Sequence, residues 1–248
     1  MRGRGGCGSG GDSETSAQKR KKRIILQKTL RTGHNKPGSL FFYTVQKGNE
    51  KMKKQKTKGE PVLYKILRPG VIGMFKILYK PSIIGRQYIP KEGRVVLAGN
   101  HTSNLDCFML AAATGRCVHF LGKDELFRGG LGFFFKGLGV IPVNRRTRDV
   151  RALLAARTAL NEDKIIGIFP EGTINKTDDV IMPFKIGAVK MAHDTGSQIV
   201  PFAIKGKYRL FDRGAKIIFY PPQSIESDDL AHENKLLMER VSSALSNG

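Results

Sequence analysis

The chain of 248 residues is short of cysteine, of acidic side chains and of long apolar runs. Its three cysteines, Cys7, Cys107 and Cys117, form no CxxC pair and leave an odd number. That argues against a disulfide framework or a cysteine-rich zinc site, and it fits a reducing, cytosolic setting. No stretch of 18 residues is free of charge. The most apolar segments, around Val71 to Phe75 and Leu131 to Phe135, are closed off by Arg68, Lys76, Arg128 and Lys136, which argues against a simple transmembrane span. The basic start at Lys19 to Arg23 leads only into Ile24, Ile25 and Leu26 before Gln27 and Lys28, too short an apolar core for a secretory signal. Acidic residues number 21 against 43 Lys and Arg, a formal net charge of +22. Such a field attracts nucleic acid, an anionic membrane surface or a phosphorylated substrate, and composition does not separate the three.

The charge is concentrated at one end. Residues 1–60 hold 16 Lys and Arg against 4 Asp and Glu, more than half of the net charge, and show no sustained apolar period. They read as a disordered basic tail, solvated or touching a membrane; a nucleic-acid tail is the competing reading. Met52 begins a basic stretch directly before the first apolar segment and is an alternative start, with the preceding residues then being upstream sequence. From Pro61 to Lys80 the apolar residues Leu63, Ile66 and Leu67, then Val71, Met74, Phe75 and Leu78, recur at helical spacing, broken at Pro69 and Gly70. A pair of short amphipathic helices is predicted over 61–80. Lys65, Arg68, Lys76 and Lys80 punctuate it; that pattern suits a helix lying in a membrane interface, and also a helix packed on a core.

Beyond Pro90 short β-rich runs alternate with helical patterns. Arg94–Ala98, Cys117–Leu121, Ile165–Phe169, Gln198–Ile204 and Lys216–Tyr220 read as strands. Helices are predicted over Leu105–Thr114, Thr147–Asn161, Lys185–Asp194 and Leu230–Leu245. The alternation predicts an α/β domain over 81–248, a central sheet flanked by helices on both faces. No fixed-period repeat supports a solenoid.

Chemistry-bearing residues collect at two strand ends. The strand of Val95 to Gly99 runs into Asn100, His101, Thr102, Ser103, Asn104, Leu105 and Asp106. Five residues along a helix turn about 140° away, so His101 and Asp106 meet only if His101 sits on the loop before the helix. Thr102, Ser103 and Asn104 are suitable N-cap types for that transition. Once adjacent, Asp106 accepts a hydrogen bond from one imidazole nitrogen and leaves the other free to take a proton from a hydroxyl. The strand ending at Ile168 leads into Phe169, Pro170, Glu171, Gly172 and Thr173, and open α/β sheets gather sites where strand ends deliver their loops. Between the two lie Lys123, Asp124, Glu125 and Leu126, then Gly139, Ile141, Val143 and Arg145. No Ser or Cys sits in a GxSxG-type elbow. Cys107, opening the apolar run FMLAAA, reads as a buried structural cysteine.

Taken together, these blocks resemble the glycerolipid acyltransferases typified by 1-acyl-sn-glycerol-3-phosphate acyltransferase. The resemblance runs from about Leu63 to Pro222. It rests on NHxxxxD at Asn100, His101 and Asp106, on KxEL at Lys123, Glu125 and Leu126, and on GxIxVxR at Gly139, Ile141, Val143 and Arg145. FPEGT from Phe169 to Thr173, PFKxGA from Pro183 to Ala188, and Ile199, Val200 and Pro201 complete it. It implies acyl transfer from acyl-CoA or acyl-acyl carrier protein to the hydroxyl of a lysophospholipid at an anionic membrane surface, on the cytoplasmic face of the cell membrane. His101 is the implied general base, Asp106 holds its tautomer, and Lys123 stabilises the oxyanion. Arg145 and the turn of Glu171, Gly172 and Thr173 are the implied acceptor-binding residues. Glu171 orients Arg145 or the turn itself. No cofactor, metal or nucleic acid is implied. Many members carry Arg after FPEGT, whereas this chain has Ile174. Lys176 or Lys185 is left to take its place, or the acceptor is a lysophospholipid with a larger head group. The rival from another class is an inert, basic nucleic-acid-binding protein; intact His101, Asp106, Glu171 and Gly172 speak against it, as does the lack of aromatic residues within the basic run.

Overall fold

The structure is a computed structural model that describes residues 60–128, 130, 132–144 and 149–246. The predicted basic tail, apart from Glu60, lies outside them, as does Met52. Seven strands form one sheet: β1 (Ser82–Ile84), β2 (Val95–Gly99), β3 (Val118–Lys123), β4 (Ile141–Val143), β5 (Ile165–Ile168), β6 (Gln198–Lys205) and β7 (Lys216–Phe219). Their order is β1-β7-β6-β2-β5-β3-β4. From β6 to β4 the five strands run parallel, while β7 pairs antiparallel with β6 and carries β1 with it. The helices are α1 (Val62–Tyr79), α2 (Asp106–Ala113), α3 (Gly132–Gly137), α4 (Val150–Asn161), α5 (Gly187–Thr195) and α6 (Leu230–Ser246).

Every residue of β2 is buried, as a parallel strand covered on both faces requires. Its side chains alternate between two cores. Val95 and Leu97 pack with Ile72 and Phe75 of α1 and with Met109 and Leu110 of α2. Val96 and Ala98 pack with Leu160 of α4, Val189 and Met191 of α5, and Leu237 and Val241 of α6. The predicted α/β class and its two covered faces are thus what the chain builds. Among the described residues no helix is long and apolar enough to cross a membrane.

The five predicted strands are present within a residue or two of their expected ends. β1 and β4 were not predicted. Each has three residues, too few to show a period, and Pro142 in β4 is tolerated because the strand lies at the sheet edge. The helix predicted from Thr147 opens at Val150, where the Asp149 carboxylate caps the amides of Arg151 and Ala152.

The predicted helix pair over 61–80 is one continuous helix with Pro69 inside it. Proline removes one helical hydrogen bond, yet tertiary contacts hold the helix on both sides of the gap. Tyr64 before it and Ile72 and Phe75 after it are buried. Arg68 is not among the outward cations: its guanidinium donates to the carbonyls of Ala111 (3.3 Å) and Thr114 at the end of α2. Those carbonyls lack helical partners and form the negative end of the helix dipole. The predicted apolar stripe divides in two. Phe75 faces the core at 3% exposure, while Ile66 and Met74 are more than half exposed, as are Val62 and Ile77, which the predicted stripe did not include. Lys65, Lys76 and Lys80 are exposed with them.

Arg68→Ala should lower unfolding stability by about 1.5–3 kcal/mol, the scale for losing hydrogen bonds from a charged donor. Lys65→Ala, one turn away and exposed, should stay within about 0.5 kcal/mol. Urea denaturation compares the two; equal effects would show that the carbonyl contacts do not hold α1 in place.

Candidate active site

β2 and β5 are neighbours, with Ala98 paired to Ile168. Three residues beyond each partner the chain reaches His101 on one strand and Glu171 on the other. Two motifs 70 residues apart therefore meet at one sheet edge, and the His101 amide donates to Glu171 Oε1 at 2.6 Å. Glu171 Oε2 accepts from the Met182 amide at 3.0 Å. Burial pushes the Glu171 carboxyl above its usual range, and the His101 and Met182 amides pull it back. The glutamate orients the histidine loop and the segment at Met182. Any pairing with Arg145 falls outside the described residues.

On the other side of β2 the Asn100 side chain extends the strand ladder. It donates to the Ile204 carbonyl at 2.9 Å and accepts from the Ile204 amide at 2.7 Å. Gly99 lets β6 approach: a Cβ there would stand 2.1 Å from the Phe202 carbonyl oxygen. The loop carrying His101 is held from both flanks, and the Asn175 amide bonds the His101 carbonyl at 2.8 Å.

His101 and Asp106 do meet, because His101 precedes the helix and Asp106 is its first residue. His101 Nδ1 lies 2.8 Å from Asp106 Oδ2. Asp106 is fully buried and satisfied by four further donors. The amides of Thr102 (2.7 Å) and Ser103 (2.9 Å) reach Oδ2, while the hydroxyls of Thr102 (3.2 Å) and Tyr208 (2.7 Å) reach Oδ1. A carboxylate only accepts, so Nδ1 carries the proton and Nε2 presents a lone pair. Phe169 stacks on the imidazole, centroids 4.0 Å apart and planes at 10°, which fixes the ring and covers one face. The expected capping by Thr102, Ser103 or Asn104 does not occur. Leu105 is the N-cap, because the Asp106 carboxylate itself takes up the loop amides.

Of the other predicted residues, Lys123 ends β3 at the same sheet edge, its side chain exposed and without a hydrogen bond or ion pair among the described residues. Arg145 lies outside the described residues. Gly172 takes φ +78°, and the Lys185 ammonium occupies the space where its Cβ would stand, 2.6 Å away. Thr173 is exposed beside it. Cys107, expected to be buried, is half-buried. Among the described residues no group of three or more His, Cys, Asp or Glu is placed to hold a metal. A separate cavity of about 440 Å³, lined by Glu60, Arg116, His119 and Lys164 among others, opens at the N-terminal ends of β2, β3 and β5, the opposite edge from the dyad. Tyr208 is the site residue that sequence reasoning missed. It lies 102 residues from Asp106 in a loop with no motif, so no local pattern could have found it.

An imidazole with a carboxylate on one nitrogen and a lone pair on the other stands at the strand ends of a parallel sheet, an arrangement able to accept a proton. The Acyltransferase family model matches residues 80–205, and the chain belongs to that family. It is 34% identical over 137 residues to a 1-acyl-sn-glycerol-3-phosphate acyltransferase of Borreliella burgdorferi, covering 53% of this chain and 54% of that one. It is 31% identical over 183 residues to 1-acyl-sn-glycerol-3-phosphate acyltransferase alpha of Bos taurus, covering 67% and 63%. The match thus spans about half to just under two thirds of these two relatives. The crystal structure of the 1-acyl-sn-glycerophosphate acyltransferase from Thermotoga maritima shares the fold, with a TM-score of 0.58 at 21% identity, over 73% of this chain and 81% of that one.

Tyr208→Phe should cost about 1.5–3 kcal/mol of stability at neutral pH, because a buried carboxylate loses a donor. Tyr79→Phe, a neighbouring tyrosine, is the control. Burial first, then Asp106, raises the Tyr208 pKa above the ordinary tyrosine value near 10. The unfolded chain therefore ionises first, and the native advantage of Tyr208 shrinks as pH rises past 10. Urea titrations of both proteins at neutral and alkaline pH should show the gap narrowing; a gap independent of pH would contradict the hydrogen bond.

Proposed function

We propose that this protein transfers a fatty acyl group from an acyl thioester to the sn-2 hydroxyl of 1-acyl-sn-glycerol 3-phosphate, giving phosphatidic acid in phospholipid biosynthesis. The observation that carries it is the buried His101–Asp106 pair with its free Nε2, in a family whose matched relatives bear that acyltransferase name. His101 Nε2 takes the proton of the acceptor hydroxyl as its oxygen attacks the thioester carbonyl. Asp106 holds the Nδ1 proton throughout and stabilises the imidazolium that forms. Collapse of the tetrahedral intermediate expels the thiolate of coenzyme A or acyl carrier protein, which His101 protonates. No acyl-enzyme is formed. Lys123, its side chain exposed and without a partner among the described residues, is the donor assigned to the oxyanion; such donors are worth about 3–4 kcal/mol of barrier.

The acceptor phosphate is assigned to Arg145, to the turn of Glu171, Gly172 and Thr173, and to Lys185. The Lys185 ammonium over Gly172 supports it, rather than Lys176, as the cation that takes over where Ile174 replaces the common Arg. The acceptor's acyl chain resides in a bilayer, so the enzyme works at an anionic membrane surface, on the cytoplasmic face. The exposed apolar face of α1 with Lys65, Lys76 and Lys80 beside it supports that contact.

His101→Ala should lower turnover at least about a hundredfold with its circular dichroism unchanged. The assay offers labelled lysophosphatidic acid and other lysophospholipids against both donor types. More than half of the wild-type turnover in folded His101→Ala would overturn the mechanism, and preference for another lysophospholipid would move the substrate assignment.

Lys185→Ala should raise the Michaelis constant for the acceptor about tenfold and leave that for the donor nearly unchanged, because a charge-assisted pair is lost from one ligand only. Equal effects on both would show that Lys185 serves the turn and not the phosphate.

A further inference from the structure

Lys205 of β6 stands opposite Lys216 of β7, two antiparallel neighbours that about two to five residues could join. The chain makes a longer excursion, from Gly206 to Gly214. Its neck is pinched: Gly206 takes φ +78°, and a Cβ there would stand 1.9 Å from the Gly214 carbonyl oxygen. The excursion is tied down at two points. Tyr208 donates to Asp106, and the Phe211 amide donates to the Leu78 carbonyl in the last turn of α1.

Between these ties it spends its large apolar side chains outside the core. Leu210 is 60% and Phe211 62% exposed, and Phe211 also holds φ +61°, a backbone region that disfavours a bulky residue. A left-handed backbone at a bulky residue and a phenyl in water are both unfavourable. Lys207, Arg209 and Arg213 are exposed around the tip, against a single acid, Asp212. The tie is to Leu78, the residue after the exposed Ile77 on a helix that also exposes Met74, and Lys76 and Lys80 line one cavity with Arg213 of the loop.

We infer that the Gly206–Gly214 loop is a second bilayer contact, with Leu210 and Phe211 entering the leaflet and Lys207, Arg209 and Arg213 set against anionic phospholipid head groups. The inference rests on the reading above that α1 faces an anionic lipid surface. The occupant is a bilayer because the tip combines apolar side chains with a cationic rim and continues an apolar helix face. The same loop carries Tyr208, so the contact is placed directly beside the residue that holds Asp106.

The chain has no tryptophan, so Leu210→Trp introduces a sole tryptophan at the tip, excited selectively over the tyrosines. Phe211→Trp is a second reporter should the first fold poorly. With vesicles containing phosphatidylglycerol the emission should shift to the blue and be quenched by brominated acyl chains. The double variant Leu210→Ser, Phe211→Ser should partition about tenfold more weakly with unchanged circular dichroism. Vesicle binding with unshifted, unquenched emission from both reporters would overturn the loop contact and leave the α1 reading standing. No binding of the wild-type chain would overturn both. A blue shift that appears without vesicles and grows with protein concentration would assign the tip to contact between copies, also overturning the inference.

Discussion

The carboxylate of Asp106 is wholly out of water, and a charge in that position must find donors or be expelled. It finds five, and they come from two separate parts of the chain: the loop between β2 and α2, which carries His101, Thr102 and Ser103, and the loop after β6, which carries Tyr208. Much of the local architecture follows from that demand. The chain between His101 and Asp106 curls so that two of its amides point inward. The helix begins without a side-chain cap because its first carboxylate is already engaged. The β6–β7 excursion is drawn back over the dyad by one hydroxyl. The imidazole, once held by the same carboxylate and stacked on Phe169, has little freedom except at Nε2.

Around this centre the parallel sheet does the positioning. Because β2 and β5 are in register, equal advances along the two strands bring the HxxxxD and FPEGT motifs face to face, and Glu171 then ties them through backbone amides. Acidic side chains thus serve two roles at one edge: Asp106 sets the imidazole's tautomer and Glu171 sets its backbone. Lys185 leaning over Gly172 adds a cation beside the turn to which the proposed function assigns the acceptor phosphate. α1 joins the centre to the outside, since its inner face packs Phe75 and Tyr79 against Tyr208 while its outer face carries the apolar residues that no part of the described fold covers.

Much of this was legible in the chain beforehand, and the limits had physical causes. The long strands were readable because burial on both faces demands continuous apolar runs, and β1 and β4 were not because three residues carry no period. The dyad was readable because a strand end, a polar loop and a helix start were adjacent in sequence. Its support by Tyr208 and the bridging by Glu171 were not, because partners 102 and 70 residues away leave no local trace. The break expected at Pro69 was a sound inference from backbone chemistry, overridden by packing on either side of the proline. Arg68 looked like one more outward cation, and only the neighbouring end of α2 turns it inward.

The sequence by itself determined the α/β class, the two motifs at strand ends, the strong positive charge and the choice of His101 with Asp106, since these depend on residue type and short spacing. Tertiary structure alone decided which apolar residues of α1 are core and which are left at the surface, that Lys185 rather than Lys176 leans on the FPEGT turn, and that Tyr208 completes the environment of Asp106. The reason is the range of the forces involved. Periodicity and capping act over a few residues and are written along the chain, whereas hydrogen bonds to a buried charge and the covering of a helix face depend on which distant segments the sheet brings together.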